Sequence, residues 1–330
     1  MNKLPIIDLH CDLLSYLVNT PNGTPNDVDS IGAAIPHLKA GNVKAQTLAI
    51  FAATKDGSRA FGQAQFERFQ QLLDEQVFVD LAQVSDWDEL AASDQIGARF
   101  AIESGSAICE EEGPLEQAFN RLVEWEQSGH KPLYISFTHH PENRFGGGNY
   151  SDNVGLKSDG KALLEYLDGR GICVDLSHAS DALAEGIFAH KAQQSLDVPI
   201  IASHSNFRHI SGHVRNLPNE LAQEIIHQGG LIGMNGLRDY IHPSDPMVWL
   251  EHFQYAMDLG AEKSIAWGVD FFGTDFIADP ARFPLFLPEM ENASCYPFWN
   301  QAWLDRGISE DQLTDMAWRN AWNFMDSLAR

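Results

Sequence analysis

Short apolar runs recur along the whole chain, and most of them are followed by a segment with helical periodicity. The runs cover residues 4–9, 43–51, 98–102, 133–137, 171–176, 198–203, 230–235 and 264–269. Regular alternation of strand and helix predicts an α/β fold, because each parallel strand needs a crossover helix before the next one. Eight such units predict a (β/α)8 TIM barrel. No low-complexity tract divides the 330 residues, so we expect one domain spanning residues 1–330.

Helical periodicity is clearest in five segments, and two further regions do not fit the barrel wall. The helical segments are residues 61–77, 115–126, 161–168, 221–227 and 249–259. Residues 271–299 are rich in proline and aromatic side chains and too irregular for a wall element. We expect this segment to form a loop over the C-terminal face of the barrel, and the helical tail from Ser309 to close the domain.

Charge and cysteine content limit the partners and the location that we expect. The chain has 46 acidic against 22 basic residues, a formal charge of −24. Nucleic acids and anionic membranes require a positive surface, so neither is an expected partner. The N-terminus lacks the long apolar region of a signal peptide, and no later run approaches the length of a membrane span. The four cysteines show no CxxC pairing, which is typical of reduced thiols in a cytoplasmic protein.

Residues able to bind a metal or move a proton follow six of the eight predicted strands. They are His10 and Asp12 after the first strand, Glu103 after the third, His139 after the fourth, His178 after the fifth, His204 after the sixth and Asp270 after the eighth. Taken singly, each is most simply explained as a loop histidine or a helix cap. Together they indicate an active site, since the C-terminal ends of barrel strands meet at one rim.

The residue types at this rim suit a pair of divalent cations such as zinc. His10 and Asp12 can hold one ion and His178 and His204 the other, with the Glu103 carboxylate between them. Water between two such cations is acidic enough to supply hydroxide near neutral pH. Asp270 can then act as general base and later as general acid. His139 can polarise a scissile carbonyl and stabilise the oxyanion.

Several stretches carry a resemblance to a known family. They are Asp8-Leu9-His10-Cys11-Asp12, Ile102-Glu103-Ser104-Gly105, Phe137-Thr138-His139, Val174-Asp175-Leu176-Ser177-His178-Ala179-Ser180, Ala202-Ser203-His204-Ser205, Arg215-Asn216-Leu217-Pro218 and Gly268-Val269-Asp270-Phe271. With these motifs the chain resembles the membrane (renal) dipeptidase family, metallopeptidase family M19 of the amidohydrolase superfamily, and in particular its bacterial members.

The resemblance implies a role for each matching residue. His10 and Asp12 match the ligands of one zinc ion, His178 and His204 those of the second, and Glu103 the bridging ligand. His139 matches the residue that faces the substrate carbonyl, and Asp270 the acid/base that also meets the free α-amino group. Arg215 matches the arginine that binds the C-terminal carboxylate of a dipeptide, which is chemistry suited to a guanidinium fork. A homodimer is also what the family suggests.

Three departures from the family pattern leave the substrate open. Glu103 is followed by Ser-Gly where Gly-Gly is usual, His139-His140 offers two imidazoles, and residues 234–237 lack a tyrosine found near the substrate carboxylate in relatives. The first hypothesis is therefore a zinc dipeptidase that hydrolyses free dipeptides, including L-Xaa-D-Xaa, with a metal-bridging hydroxide. The second is a binuclear amidohydrolase acting on an N-acyl amino acid, a lactam or a modified peptide. The third is a barrel that binds a ligand without catalysis.

Overall fold

A barrel of parallel strands forms the centre of the computed structural model, which describes residues 4–151, 153–274, 277 and 279–328. The described strands are β1 (Ile6–Cys11), β2 (Val43–Phe51), β3 (Val79–Asp80), β4 (Gly97–Glu103), β5 (Tyr134–Ser136), β6 (Cys173–Asp175), β7 (Ile200–Ile201), β8 (Ile232–Met234) and β9 (Ile265–Trp267). All of them except β3 correspond to the eight predicted apolar runs. Their residues are almost all buried, as expected for parallel strands that are covered on both faces.

The strand order explains how the barrel closes. Neighbouring strands follow the order β7-β6-β5-β4-β2-β1-β9-β8, and every pairing is parallel. A single bridge between Ala202 and Ile232 joins the two ends of this order, so the barrel is nearly closed. Glycine is required on this side, because a Cβ atom at Gly233 or Gly268 would overlap the carbonyl oxygen of Ser203. The (β/α)8 prediction is confirmed.

The short strand β3 was not predicted. The two residues of β3 pair with Gly97 and Ala98 at the start of β4, off the closed path of the barrel. A run this short carries no periodicity that a sequence pattern could detect. It extends the bottom of the barrel, at the end opposite the predicted site.

Helices surround the barrel and complete the alternation. They are α1 (Leu13–Asn19), α2 (Ile35–Ala40), α3 (Ser58–Asp74), α4 (Trp87–Ala92), α5 (Glu116–Gln127), α6 (Ser158–Tyr166), α7 (Asp181–Gln194), α8 (Asn219–His227), α9 (Arg238–Ile241), α10 (Val248–Asp258), α11 (Tyr296–Asp305), α12 (Glu310–Thr314) and α13 (Asn320–Ser327). The five periodic segments coincide with α3, α5, α6, α8 and α10 to within three residues at each end. In α3, Phe66, Phe69 and Leu72 form the buried stripe that the spacing predicts.

The C-terminal helices pack on the barrel through a cluster of large aromatic side chains. Trp267 of β9 contacts Tyr296 and Trp303 of α11, with ring centres 4.7 and 4.9 Å apart. The ring centres of Trp249 in α10 and Trp267 are 5.2 Å apart. A capping box at Ser309 starts α12, so the predicted helical tail is present and begins at the expected residue.

The segment after β9 follows the predicted path only in part. Its first portion contributes Phe272, Gly273, Ile277 and Arg282 to a cavity at the barrel mouth. Farther on it forms short 3-10 turns and then enters α11 at Tyr296. The expected loop therefore ends earlier than residue 299, because buried aromatic side chains bring the chain back onto the barrel.

Two expectations from composition can be compared with the structure. All four cysteines are buried with free thiols. Within the described ranges, no helix combines the length and apolar character needed to cross a bilayer.

Candidate metal centre and active site

All seven polar residues predicted at the strand ends come together at the C-terminal mouth of the barrel. A cavity of about 250 Å³ opens there, and Asp12, Glu103, His139, His178 and Asp270 are among the side chains that line it. His10 and His204 lie directly beneath them and are fully buried, with ring centres 3.7 Å apart. Residues separated by up to 260 positions thus share one site because the barrel brings its strand ends together.

His10 forms the centre of one half of the site. Its Nε2 atom lies 3.7 Å from Asp12 Oδ2, 3.7 Å from Glu103 Oε2 and 3.5 Å from Asp270 Oδ1. Three carboxylates therefore surround one imidazole nitrogen without making a hydrogen bond to it. His10 and Asp12 face the same way although β1 ends between them at Cys11, as the alternation of an extended chain predicts.

His178 and His204 form the other half, against the second oxygen of Glu103. Glu103 Oε1 lies 2.7 Å from His178 Nε2 and 3.6 Å from His204 Nε2. The two imidazole Nε2 atoms are 2.9 Å apart. Glu103 therefore stands between the two halves, with one carboxylate oxygen directed to each.

The donor set fits divalent cations. Among the described residues, His10, Asp12 and Glu103 offer ligand atoms within 4.8 Å of one another, and so do Glu103, His178 and His204. His10 Nε2 and Asp12 Oδ1 are buried without a hydrogen-bond partner, and buried polar atoms are rarely left unpaired. Imidazole nitrogen and carboxylate oxygen are ligands that zinc accepts, so a cation beside His10 and Asp12 would satisfy these two atoms.

The electrostatics of the first half favour a positive charge. Burial alone lowers the pKa of His10, but the charges of Glu103 and Asp270 and the interaction with Asp12 raise it to about 10. Burial and the Asp12 charge raise the pKa of Glu103 well above its usual range. The carboxylates thus repel one another and attract a cation or proton to this position.

The second half keeps its imidazoles neutral. Burial, helped by the nearby Arg215 charge, lowers the pKa of His178 and His204 well below the usual histidine value. A neutral imidazole has a lone pair on one ring nitrogen, which is the form that binds metals. This half is therefore suited to a cation without first losing protons.

Two buried carboxylates hold the strand ends beneath the site. Asp8 accepts hydrogen bonds from the backbone N–H of His10 at 2.8 Å and of Val269 at 3.1 Å, and from the Tyr296 hydroxyl at 2.5 Å. It ties β1 to β9 and to α11. On the other side, Asp175 accepts from the Ser203 N–H at 2.6 Å and so fixes the residue before His204.

Hydroxyl groups orient the buried imidazoles. Tyr134 Oη lies 2.7 Å from His10 Nδ1, and Ser203 Oγ lies 2.7 Å from His204 Nδ1. In each ring the Nε2 atom is left facing the site. Such contacts on the second nitrogen fix the ring direction of metal-binding histidines.

Asp270 has an unusual backbone and a raised pKa. Its φ angle is 73°, in the left-handed region that few residues other than glycine, asparagine and aspartate adopt. Asn235 donates to its Oδ2 at 3.0 Å. Burial raises the pKa of Asp270 to about 7 although His10 opposes the shift, a value suited to exchanging protons near neutrality.

The two adjacent histidines occupy different positions on the cavity wall. His139 Nε2 lies 4.0 Å from Glu103 Oε1, and its ring centre is 4.2 Å from that of His178. His140 Nδ1 is 2.9 Å from Asn149 Oδ1, and the His140 ring stacks on Tyr150. His139 is therefore the imidazole that approaches Glu103, and His140 is held by Asn149 and Tyr150.

Arg215 is buried behind the wall of the cavity, with 2% of its surface exposed. It donates to Ser205 Oγ at 3.1 Å and to the carbonyl oxygen of His204 at 3.2 Å. Its Nη2 lies 3.3 Å from His178 Nε2, while its Nε has no partner. The guanidinium carbon is 5.5 Å from the ring centre of Tyr240, which does line the cavity.

Several residues of the cavity wall were not predicted from the sequence. They are Ser15, Asn19, Phe51, Leu237, Tyr240, Phe272, Gly273, Ile277 and Arg282. Most of them lie in loops or short helices where no periodic pattern marks them. Tyr240 was not predicted because it lies three residues beyond the stretch 234–237, in α9.

Solved structures share this fold over nearly the whole chain. One, described as the dipeptidase AC, a metallopeptidase of family M19, has a TM-score of 0.82, 15% sequence identity, and coverage of 98% of this chain and 99% of its own. Another is a metallopeptidase from Rhodobacter sphaeroides with a phosphinate mimic of the dipeptide L-Ala-D-Ala, with a TM-score of 0.78, 15% identity and coverage of 98% and 99%.

Sequence comparison points to the same family. Dipeptidase verJ from Clonostachys rogersoniana is 26% identical over 204 residues, which cover 59% of this chain and 48% of that protein. The match thus spans about half the length of this curated relative. The family model described as membrane dipeptidase (peptidase family M19) matches residues 1–329. Seen with its barrel and its clustered histidines and carboxylates, the chain belongs to the membrane dipeptidase family, peptidase family M19.

Proposed function

We propose that this protein is a dipeptidase that uses two divalent cations, most simply zinc, to hydrolyse the peptide bond of free dipeptides, including L-Xaa-D-Xaa. The observation that carries the proposal is the position of Glu103. One of its oxygens faces His10 and the other faces His178 and His204, as a bridging ligand must.

The clusters of histidines and carboxylates support a set of metal-holding residues. His10 and Asp12 would hold one ion, His178 and His204 the other, and Glu103 would contact both. When bound, such a pair polarises the scissile carbonyl and lowers the pKa of the attacking water. The same cations would replace the proton that the carboxylates otherwise retain on His10.

Asp270 is the candidate for moving the proton. Its Oδ1 lies 3.5 Å from His10 Nε2, inside the cavity, while Asn235 holds Oδ2. The Asp270 carboxylate would take a proton from the attacking water and return it to the leaving nitrogen as the C–N bond breaks. The same carboxylate can hold the α-ammonium group of the substrate, because the two groups carry opposite charge.

His139 is the candidate for stabilising the oxyanion. Its ring is kept neutral, since burial lowers its pKa well below the usual value. A neutral imidazole N–H can donate to the carbonyl oxygen where negative charge develops. A donor at such a position stabilises the transition state by about 3 kcal/mol. Phe51 packs edge-on against the ring at 4.8 Å between centres and limits its rotation.

Arg215 and Tyr240 are the candidates for binding the substrate carboxylate. Arg215 has an unpaired Nε and lies behind Tyr240, which lines the cavity, so a small movement of the two side chains would present its donors to an anion. The cavity of about 250 Å³ is at the small end for ligand sites. That size favours a dipeptide over a longer peptide.

The proposal is tested by loading the purified protein with zinc and measuring both metal content and turnover. We expect about two ions per chain and hydrolysis of several members of a dipeptide panel that includes L-Ala-L-Ala and L-Ala-D-Ala. The tripeptide L-Ala-L-Ala-L-Ala is the matched control and should be a poor substrate. Protein carrying two ions that turns over no member of the panel would refute the proposal.

A further inference from the structure

A second arginine lies on the wall of the same cavity, and the proposed reaction gives it no role. Arg282 lines the cavity together with His140, Tyr240 and Phe272. Unlike the buried Arg215, it is exposed, which places it at the mouth. Both guanidinium groups are within electrostatic reach of the His140 ring. An anionic ligand entering the cavity therefore meets the charge of Arg282 at the mouth and that of Arg215 deeper in the protein.

The backbone at Arg282 is fixed on both sides. The residue ends a 3-10 turn that starts with Pro280 and is capped by the Asp279 side chain. Arg238, at the start of α9, donates from Nη2 to the carbonyl oxygen of Arg282 at 3.2 Å. The Arg238 N–H also donates to Leu285 at 2.9 Å. The arginine thus projects from a segment that is anchored to the end of the barrel rather than from an unattached loop.

Arg282 has no ion pair with a described carboxylate, whereas several other arginines of this protein do. Arg208 pairs with Asp181 at 2.6 Å, and Arg319 pairs with Asp315 at 2.6 Å. Within the part of the chain that the structure describes, no carboxylate lies within ion-pair distance of Arg282, although the chain carries 46 acidic side chains. As far as the described residues go, its charge is available to a ligand.

We propose that Arg282 makes this enzyme prefer dipeptides with an acidic side chain, aspartate or glutamate, by pairing with the side-chain carboxylate at the cavity mouth. The inference rests on the proposed dipeptidase function. In that function Arg215 binds the α-carboxylate and Asp270 the α-amino group, so a cation at the mouth is left for a further negative charge. Three carboxylates in the site and the net charge of −24 would otherwise disfavour an acidic substrate.

The test compares isosteric substrate pairs with and without the charge. We would measure kcat/KM of the zinc-loaded protein for L-Ala-L-Glu against L-Ala-L-Gln, and for L-Glu-L-Ala against L-Gln-L-Ala. The variant is Arg282→Gln. The matched control is Arg306→Gln, which removes the same charge from an exposed arginine at the end of α11. L-Ala-L-Ala reports the basal activity.

We expect at least one acidic dipeptide to be preferred over its amide by the wild-type protein. Arg282→Gln should reduce that preference about fivefold, the effect of one partly exposed ion pair, and should reduce the hydrolysis of L-Ala-L-Ala by less. Arg306→Gln should leave the preference intact, and added salt should weaken it because exposed pairs are screened.

The inference is overturned if the acid-to-amide ratio is the same in the wild-type protein and in Arg282→Gln for both pairs while L-Ala-L-Ala is still hydrolysed. That result would leave the dipeptidase proposal standing. Failure of the dipeptidase proposal looks different, since no dipeptide of either charge would then be hydrolysed by metal-loaded protein. The two ideas can therefore be judged separately.

Discussion

Replacing Arg215 by methionine tests how the proposed enzyme recognises a dipeptide. The guanidinium group is 2% exposed and donates to Ser205 and to the backbone of His204, so its charge is poorly screened by water. Methionine keeps an unbranched side chain of similar length and removes the charge. If Arg215 binds the substrate carboxylate, the variant should bind dipeptides poorly while the metal-binding residues stay in place.

The size of the effect follows from the burial of this charge. Opposite unit charges about 4 Å apart attract by about 4 kcal/mol at an effective dielectric constant of 20. Desolvation of the substrate carboxylate offsets part of that attraction. A net loss of about 2 to 3 kcal/mol corresponds to a decrease in kcat/KM of about 30- to 150-fold. Arg215→Lys keeps the charge without the planar fork and should lose less.

The assay compares L-Ala-L-Ala with its C-terminal amide, L-Ala-L-alaninamide, in both proteins. The wild-type protein should prefer the free acid, and Arg215→Met should lose activity mainly toward the acid, so that the preference shrinks. Metal content and the free energy of unfolding are measured on the same samples. They separate loss of recognition from loss of structure, because Arg215 also supports the loop behind His204.

If Arg215→Met loses activity equally toward the acid and the amide, Arg215 does not bind the substrate carboxylate. A wild-type protein that hydrolyses the amide as well as the acid would also exclude this role. Either result would favour the second hypothesis, in which the substrate is another amide, such as a lactam, with no carboxylate at this position.

Further predictions concern proton transfer, pH and the support of the site. Asp270→Asn should lower kcat by about 100- to 10,000-fold with metal content unchanged, since asparagine tolerates the φ angle of 73°. Burial lowers the pKa of His252 from 6.5 to about 3, so the unfolded chain binds the proton first. The stability that neutral, buried His252 contributes is therefore fully present above about pH 7 and is lost as the pH falls toward 3. The free energy of unfolding should fall by about 2 kcal/mol between pH 7 and 5. Tyr296→Phe removes a donor to buried Asp8 and should cost about 1.5 to 3 kcal/mol of unfolding free energy.

Each of these has a direct measurement and a result that contradicts it. Steady-state kinetics measure kcat of zinc-loaded Asp270→Asn. A kcat within tenfold of the wild-type value would contradict the proposed role of Asp270. Urea unfolding at a series of pH values should give a flatter profile for His252→Asn than for the wild type. This variant keeps an acceptor for the Phe207 N–H and cannot titrate, so identical profiles would exclude the role of His252. Urea midpoints that coincide for Tyr296→Phe and wild type would show that Asp8 finds another donor.

The barrel could be predicted because its signal is repeated and local. Eight apolar runs alternate with helical segments, and each helix in the barrel wall has a buried stripe such as Phe66, Phe69 and Leu72 in α3. The short strand β3 and the short helices α1, α2, α4 and α9 are too brief to show a period, and they were not predicted. Element ends shifted by a few residues because caps and tertiary contacts, rather than periodicity, fix them.

The chain order of the site residues could also be read from the sequence. Each follows an apolar run, and in a parallel barrel the ends of such runs must meet at one rim. The distances could not be read in this way. That Glu103 directs one oxygen to His10 and the other to His178 depends on how the strands tilt and pair, which no local pattern records.

The sequence by itself determined the barrel, the rim on which chemistry would lie and the residue types available there, because strand and helix periods and the direction of parallel strands are properties of short segments. The tertiary structure alone decided which of two neighbouring histidines approaches Glu103, that Tyr240 lies over Arg215, and that Arg282 stands at the mouth without a carboxylate partner among the described residues. These residues come from loops and short helical turns whose positions are set by packing against distant parts of the chain.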